Sequence, residues 1–190
     1  MATATKPKAL HFTGNDEADA LLAAEPLALL IGFALDQQVT VPTAFLGPLK
    51  LKQRLGSLAP SEIAGSDPAE LERIFREKPA IHRFPGAMAK RVQELAAVVE
   101  EEYGGRAERL WTDATDATDL RRRISSLPGF GEMKIKSLSA VLAKRFGVEA
   151  AQEVAPTHPT LGDVDSVQAL EEYQAKKRAY KAKLRANKTP

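Results

Sequence analysis

The stretch Leu127-Pro128-Gly129-Phe130-Gly131 (LPGFG, 127–131) separates two segments that both read as helix. Upstream, 119–126 is helical in pattern. Downstream, 132–146 places Ile135, Leu138, Val141 and Leu142 on one buried side, with Gly147 as its C-cap. Two glycines around one apolar residue make a tight turn whose backbone approaches another molecule closely. The second glycine leads into a helix N-terminus, where unpaired amides and the helix dipole suit a phosphate oxygen. Lys134 and Lys136 after the turn, and Arg121, Arg122 and Arg123 before it, place positive charge near such an anion. The same residues also fit an ordinary glycine-capped turn with surface lysines. The turn alone does not choose between these readings.

Working outward, the pattern stays helical and shows no convincing strand, so the expected fold class is all-α. Asn15 caps a first helix over 16–24, and Pro26 opens a strongly apolar second one over 27–37. Residues 42–55 read as one or two short helices, interrupted at Gly47-Pro48. Asp67-Pro68 caps and opens a helix through about Arg76. Pro85-Gly86 opens the longest helix, 87–103, with Val92, Leu95, Ala96 and Val99 on one face. Pro156 and His158-Pro159 make 148–162 irregular. The last helix begins near Asp165-Ser166, with Asp165 and Gln168 spaced as a capping box. These boundaries divide the chain into a domain over 1–168 and a basic tail over 169–190.

The 190 residues suit one domain of ordinary size plus a tail, and a hydrophobic fraction of 44% supports a packed core. No run approaches a membrane span, and MATATKPKAL at the N-terminus lacks the apolar core of a signal peptide, so an intracellular, cytoplasmic protein is expected. With no cysteine, disulfides, thiolate metal sites and cysteine nucleophiles are excluded. His11, His82 and His158 show no metal-ligand spacing, and neither a metal nor another cofactor is expected. His82 is a candidate DNA contact beside Arg83, or a satisfied structural histidine.

The net charge of +2 hides a polarised distribution. Residues 169–190 carry seven Lys or Arg against two Glu, leaving the rest of the chain at −3. Within that remainder, 121–145 sums to +6 and 93–119 to −6. A basic face suits nucleic acid, and equally a solvated surface. The tail, with no acid after Glu172, reads as a backbone-tracking helix or as a fraying solvated one.

LPGFG resembles the helix–hairpin–helix turn of the base-excision DNA glycosylases related to endonuclease III, the helix–hairpin–helix–GPD superfamily. Two further segments agree in order and spacing. LLIGFALDQQVTV (29–41) is similar to the family's early apolar helix and its glutamine-containing turn, and HRFPGAMAKRVQEL (82–95) to the start of its next long helix. The resemblance covers about residues 27–147 and is nearest to a small bacterial branch. It implies a two-lobed helical bundle with a DNA-binding cleft, double-stranded and often damaged DNA as partner, a monomer, and a location at the nucleoid.

Residue by residue, the resemblance implies that Leu127, Gly129, Phe130 and Gly131 form the DNA-binding hairpin, aided by Lys134 and Lys136. Gln38 falls at the glutamine inserted near the flipped base; capping or tying down its own turn is the competing role. Phe84 falls near the apolar wedge that props open the duplex, with plain core as the other reading.

The chemistry matches less closely. Breaking a glycosidic bond develops positive charge on the sugar, which a carboxylate stabilises. At the family's spacing this chain has Ala151, flanked by Glu149 and Glu153. Asp163, in Leu161-Gly162-Asp163, echoes the family's Gly-x-Asp ending but lies 32 residues after Gly131. It is the candidate catalytic residue, with a solvated loop acid as the alternative. Where strand-cleaving members carry a Schiff-base lysine, this chain has Met133, and Lys134, about 100° further round the helix, should face elsewhere. The resulting expectation is a monofunctional DNA N-glycosylase, or a DNA-binding protein that kept the scaffold and lost catalysis.

Overall fold

In the computed structural model, which describes residues 6–188, Asn15 accepts the Ala18 amide at 2.9 Å and opens α1 (Asp16–Ala24). Asp67 accepts the Glu70 amide at 3.0 Å and opens α5 (Pro68–Arg76) in the same way. Each such cap satisfies a backbone donor that the first helical turn leaves unpaired. The first five residues of MATATKPKAL and the last two of the basic tail lie outside the described residues.

Between α1 and α5 run α2 (Pro26–Leu35), α3 (Val41–Leu55) and α4 (Pro60–Gly65). Beyond them come α6 (Pro85–Tyr103), α7 (Arg109–Thr112), α8 (Ala117–Ser125), α9 (Glu132–Phe146), α10 (Glu149–Gln152), a 3-10 turn (Leu161–Asp163) and α11 (Val167–Ala186). There is no strand among the described residues, and the chain is all-α. No single helix is long and apolar enough to cross a membrane.

Helix α2 explains the centre of the fold. Every residue from Leu27 to Leu35 is buried, because a helix that is apolar all round has no face to offer water. It packs on α1, α3 and α6, while α4 and α5 cover the other flank of α6. Phe45 of α3 meets Phe33 of α2 edge-on, with ring centroids 5.1 Å apart. Helix α9 packs on α8, α10 and the 3-10 turn. One continuous apolar cluster runs from Leu10 to Leu170, so the first turns of α11 belong to the core and the expected boundary at 168/169 falls inside that helix.

Three local expectations are corrected. Gly47-Pro48 does not interrupt α3, which continues through both residues. An interior proline removes one helix hydrogen bond and crowds the carbonyl four residues back. Here Ala44, Phe45, Pro48 and Leu51 are buried against α2, and that packing outweighs the local cost. The cap of α11 is Ser166, whose hydroxyl accepts the Ala169 amide at 3.1 Å, and not Asp165. The capping box instead joins Thr160 and Asp163, closing the 3-10 turn.

That turn sits flush on α9. A Cβ added to Gly162 would lie 2.5 Å from the Ala140 carbonyl oxygen, which is backbone and cannot swing aside. Gly162→Ala is therefore expected to cost about 1–3 kcal/mol, through displacement of the turn. Urea unfolding of the variant against the parent measures it.

Candidate nucleic-acid interface

The five residues after α2 must reverse direction before Thr40 caps α3. Asp36 ends α2, and Gln38 takes the left-handed conformation at φ 56°, which side chains other than glycine adopt only at some cost. His82 holds this turn from beneath. Its Nδ1 accepts the Phe84 amide at 3.0 Å, so Nε2 carries the proton and donates to the Leu35 and Gln37 carbonyls, each at 3.1 Å. The ring is 2% exposed. Burial lowers the pKa of His82 despite those two carbonyls, and the imidazole is neutral.

The turn is tied to the other two segments that share the glycosylase resemblance. Arg91 on α6 donates from Nη1 to the Gln37 side-chain oxygen. The same arginine lies over the hairpin: a Cβ at Gly129 would come 2.7 Å from Arg91 Nε, and Gly129 has φ 79°. Glycine is favoured there by its backbone angle, and its lack of a side chain leaves room for Arg91. Lys134 reaches from α9 to the Ala34 carbonyl at 3.2 Å, with its ammonium 5.7 Å from the Phe130 ring centroid. Segments 29–41, 82–95 and 127–134 therefore meet in one place.

Within this meeting point the expected residues take different parts. Leu127 and Phe130 are buried at 3% and 5% exposure, and they anchor the hairpin from inside. Gly131 is the N-cap of α9, with open space beside it where a side chain would be. Gln38 is exposed and its side chain accepts or donates no hydrogen bond among the described residues; Gln37 is the one that ties the turn down. Phe84 is not core. It is 40% exposed, with the Arg83 guanidinium 4.9 Å from its ring centroid. His82 is no surface contact but the buried support of the turn.

Lys134 faces elsewhere than Met133, as its spacing suggested, and turns inward. Burial and the charge of Arg91 lower its pKa, while Asp36 opposes them. Met133 is 79% exposed.

Asp163 stands apart from this group. Its carboxylate accepts both Lys144 Nζ contacts, at 2.7 and 2.8 Å, and the Thr160 amide at 2.7 Å. Lys144 lies ten residues beyond Lys134, on the order of 15 Å along the helix axis. These hydrogen bonds lower the Asp163 pKa against the opposing effect of burial.

Five of the seven cations in the +6 block around LPGFG are engaged in ion pairs. Arg121 and Lys136 both pair with Glu132, Arg122 and Arg123 with Asp119, and Lys144 with Asp163. Asp119 is held down to about 2 by its hydrogen bonds from Arg123 and Arg122. By contrast, Arg83, Lys177, Arg178 and Lys181 have no carboxylate within ion-pair distance among the described residues. Positive charge free of ion pairs thus lies beside the 36–40 turn and along α11, as well as at Arg91 and Lys134.

Asp36 is the residue that sequence reasoning missed. It is partly buried where the turn, α9 and α11 meet, and its carboxylate accepts no hydrogen bond among the described residues. Burial raises its pKa, and the charges of Lys177, Lys134 and Lys181 oppose that rise. Titratable groups whose pKa is shifted by burial concentrate at functional sites. Nothing in the local pattern Leu35-Asp36-Gln37 marks it, since its burial comes from α11, more than 130 residues later. No family model matches this chain, and no curated protein or solved structure does.

Proposed function

We propose that this chain is a base-excision DNA repair protein that grips duplex DNA, extrudes a base and hydrolyses its N-glycosidic bond. One observation carries the reading. The three segments that resemble the helix–hairpin–helix glycosylases, far apart in sequence, converge through Arg91, Lys134 and His82. In this reading α1–α6 and α7–α10 are the two lobes, and the 36–40 turn and the 127–131 hairpin are the lips of the cleft. The amides at the start of α9 take a phosphate. Gln38, held exposed, fills the gap left by the extruded base, and Phe84 wedges the stack.

In this reading Asp36 is the base: it belongs to the 36–40 turn, and the charge of Lys134 acts on it. In the hydrolysis the C1′–N bond breaks with its electron pair leaving on the base. A water oxygen bonds to C1′ and gives its proton to Asp36, and the departing base takes a proton from the Lys134 ammonium. One water is consumed, and the proton on Asp36 returns to Lys134 through solvent. With Met133 at the Schiff-base position, strand cleavage is not part of the reaction.

A second reading, a DNA-binding protein without catalysis, is favoured by the closed network around Asp163. A base-release assay over alkylated, deaminated and oxidised duplexes separates the two. Release of a free base without strand scission is expected. Tight duplex binding with no release from any substrate would establish the second reading instead.

A further inference from the structure

Arg91 and Lys134 stand at the hairpin without an ion pair, and a second group of such cations surrounds a separate cleft. Between the turn and α11 is a cavity of about 460 Å³, lined by Gln38, Thr40 and Arg83 on one side and by Lys177, Arg178 and Lys181 on the other. Gln174 and Arg185 complete the α11 wall, and no carboxylate lines the cavity. Residues 174, 177, 178, 181 and 185 follow the spacing of one helix face, about 16 Å long.

Like charges in such a row repel one another. Many of the arginines and lysines elsewhere on this protein are matched with acids, as at Arg73–Glu70, Arg76–Glu72 and Arg109–Asp113. Here Lys177, Arg178 and Lys181 pair with no acid among the described residues, although the charges of Lys177 and Lys181 act on Asp36. The apolar hold on α11 is also slight, with Leu170 its one buried residue, while Tyr180 and Leu184 are exposed. A helix wall so charged and so lightly anchored is stabilised by an anion in the cleft.

Resting on the DNA-binding reading above, we propose that this cleft is a second phosphate site, distinct from the 127–131 hairpin, which takes the phosphodiester backbone of one DNA strand. A whole duplex does not fit a cavity of about 460 Å³, whereas a strand edge running along α11 does. Arg83 is turned toward such a strand by its stacking on Phe84. Its planar guanidinium takes two oxygens of one phosphate, and the three α11 cations follow as point or forked contacts. The hairpin amides and this cleft then hold the DNA on either side of Gln38.

The test is equilibrium binding of the full chain to a fluorescent duplex over a range of salt, with inorganic triphosphate as a second probe. The variant K177Q/R178Q/K181Q is expected to make the slope of log affinity against log salt less negative by up to about 2.7, from about 0.9 per lost phosphate contact. At 0.1 M salt its affinity should fall between about tenfold and a few hundredfold. Arg83→Gln, on the opposite wall and outside α11, should shift the slope by up to about 0.9, so that a loosened α11 cannot by itself explain the result. If the parent binds duplex and both variants keep its slope, the cleft proposal is overturned and the DNA-binding reading survives. If triphosphate binds the parent but not the variants, and duplex does not bind, the phosphate site stands and the DNA reading fails. If neither probe binds the parent, both are overturned.

Discussion

Replacing His82 with alanine is expected to destabilise the protein by about 3–4 kcal/mol, among the larger effects a single substitution produces. Three backbone groups lose their partner at once: the Leu35 and Gln37 carbonyls and the Phe84 amide. Each buried group left unpaired costs about 1–3 kcal/mol, and the cavity left by the ring adds to this. The 36–40 turn and the start of α6 should loosen together, since one ring holds both. Denaturant unfolding measures the loss, and a shift below about 1 kcal/mol would show that the imidazole is not their support.

The same residue gives a pH signature. Its folded pKa is lowered by burial, so above about 6.5 it is neutral in both states and its full contribution is present. As pH falls below about 6.5 the unfolded chain takes a proton that the folded one refuses, and stability declines. His82→Ala should lose this part of the acid sensitivity.

Asp36→Asn is expected to lower base release by a factor of about 10² or more while leaving duplex binding within a few fold. The substitution keeps the shape and removes the charge that, in the proposed hydrolysis, receives a proton and faces the sugar cation. Stability should move the other way. The folded pKa of Asp36 is raised, so its contribution is greatest at low pH and is lost as pH rises from about 4 through the folded value. At neutral pH the ionised group is a burden, and the asparagine variant should melt higher than the parent.

The rate of base release should climb with pH as Asp36 ionises, at a pH above the ordinary aspartate range. It should fall again as Lys134 loses its proton, below the ordinary lysine range. The charges facing Asp36 are Lys134 from α9 and Lys177 and Lys181 from α11, with Tyr173 also nearby. Asp163→Asn, in contrast, should break the Lys144 pair and weaken the 3-10 turn. Release that survives Asp36→Asn and vanishes with Asp163→Asn would reverse the assignment of the carboxylate.

What was legible in the sequence was what local chemistry decides. Asn15, Asp67, Gly104 and Gly147 mark helix ends through their own backbone and side-chain bonds, and α1, α5, α6 and α9 begin or end beside them as the pattern predicts. The continuity of α3 through Pro48 was not legible, because tertiary packing against α2 overrides a local breaker. The cap at Ser166 rather than Asp165 shows the usual one-residue ambiguity where two capping residues adjoin.

The site divides the same way. Gly129 and Gly131 announce a turn by their spacing, but the burial of Phe130 and Leu127 depends on what packs beneath them. The charge count over 121–145 does not tell which cations are engaged, since Glu132 and Asp119 each pair with two of them, a fact of geometry that a sum over sequence does not contain. Asp36 was invisible for the same reason, since a solvated aspartate and a half-buried one read alike until α11 is laid across the turn.

The central claim is that one face, made of the 36–40 turn, the start of α6, the hairpin and α11, is where duplex DNA binds. Amide chemical-shift mapping of the isotope-labelled chain, titrated with a short duplex at low salt, tests it most directly. Shifts are expected at Gln37, Gln38, Arg83, Gly129, Gly131 and along 174–181. Shifts confined to α4, α5 and the acidic end of α6, or no shifts while the duplex stays in excess, would contradict it.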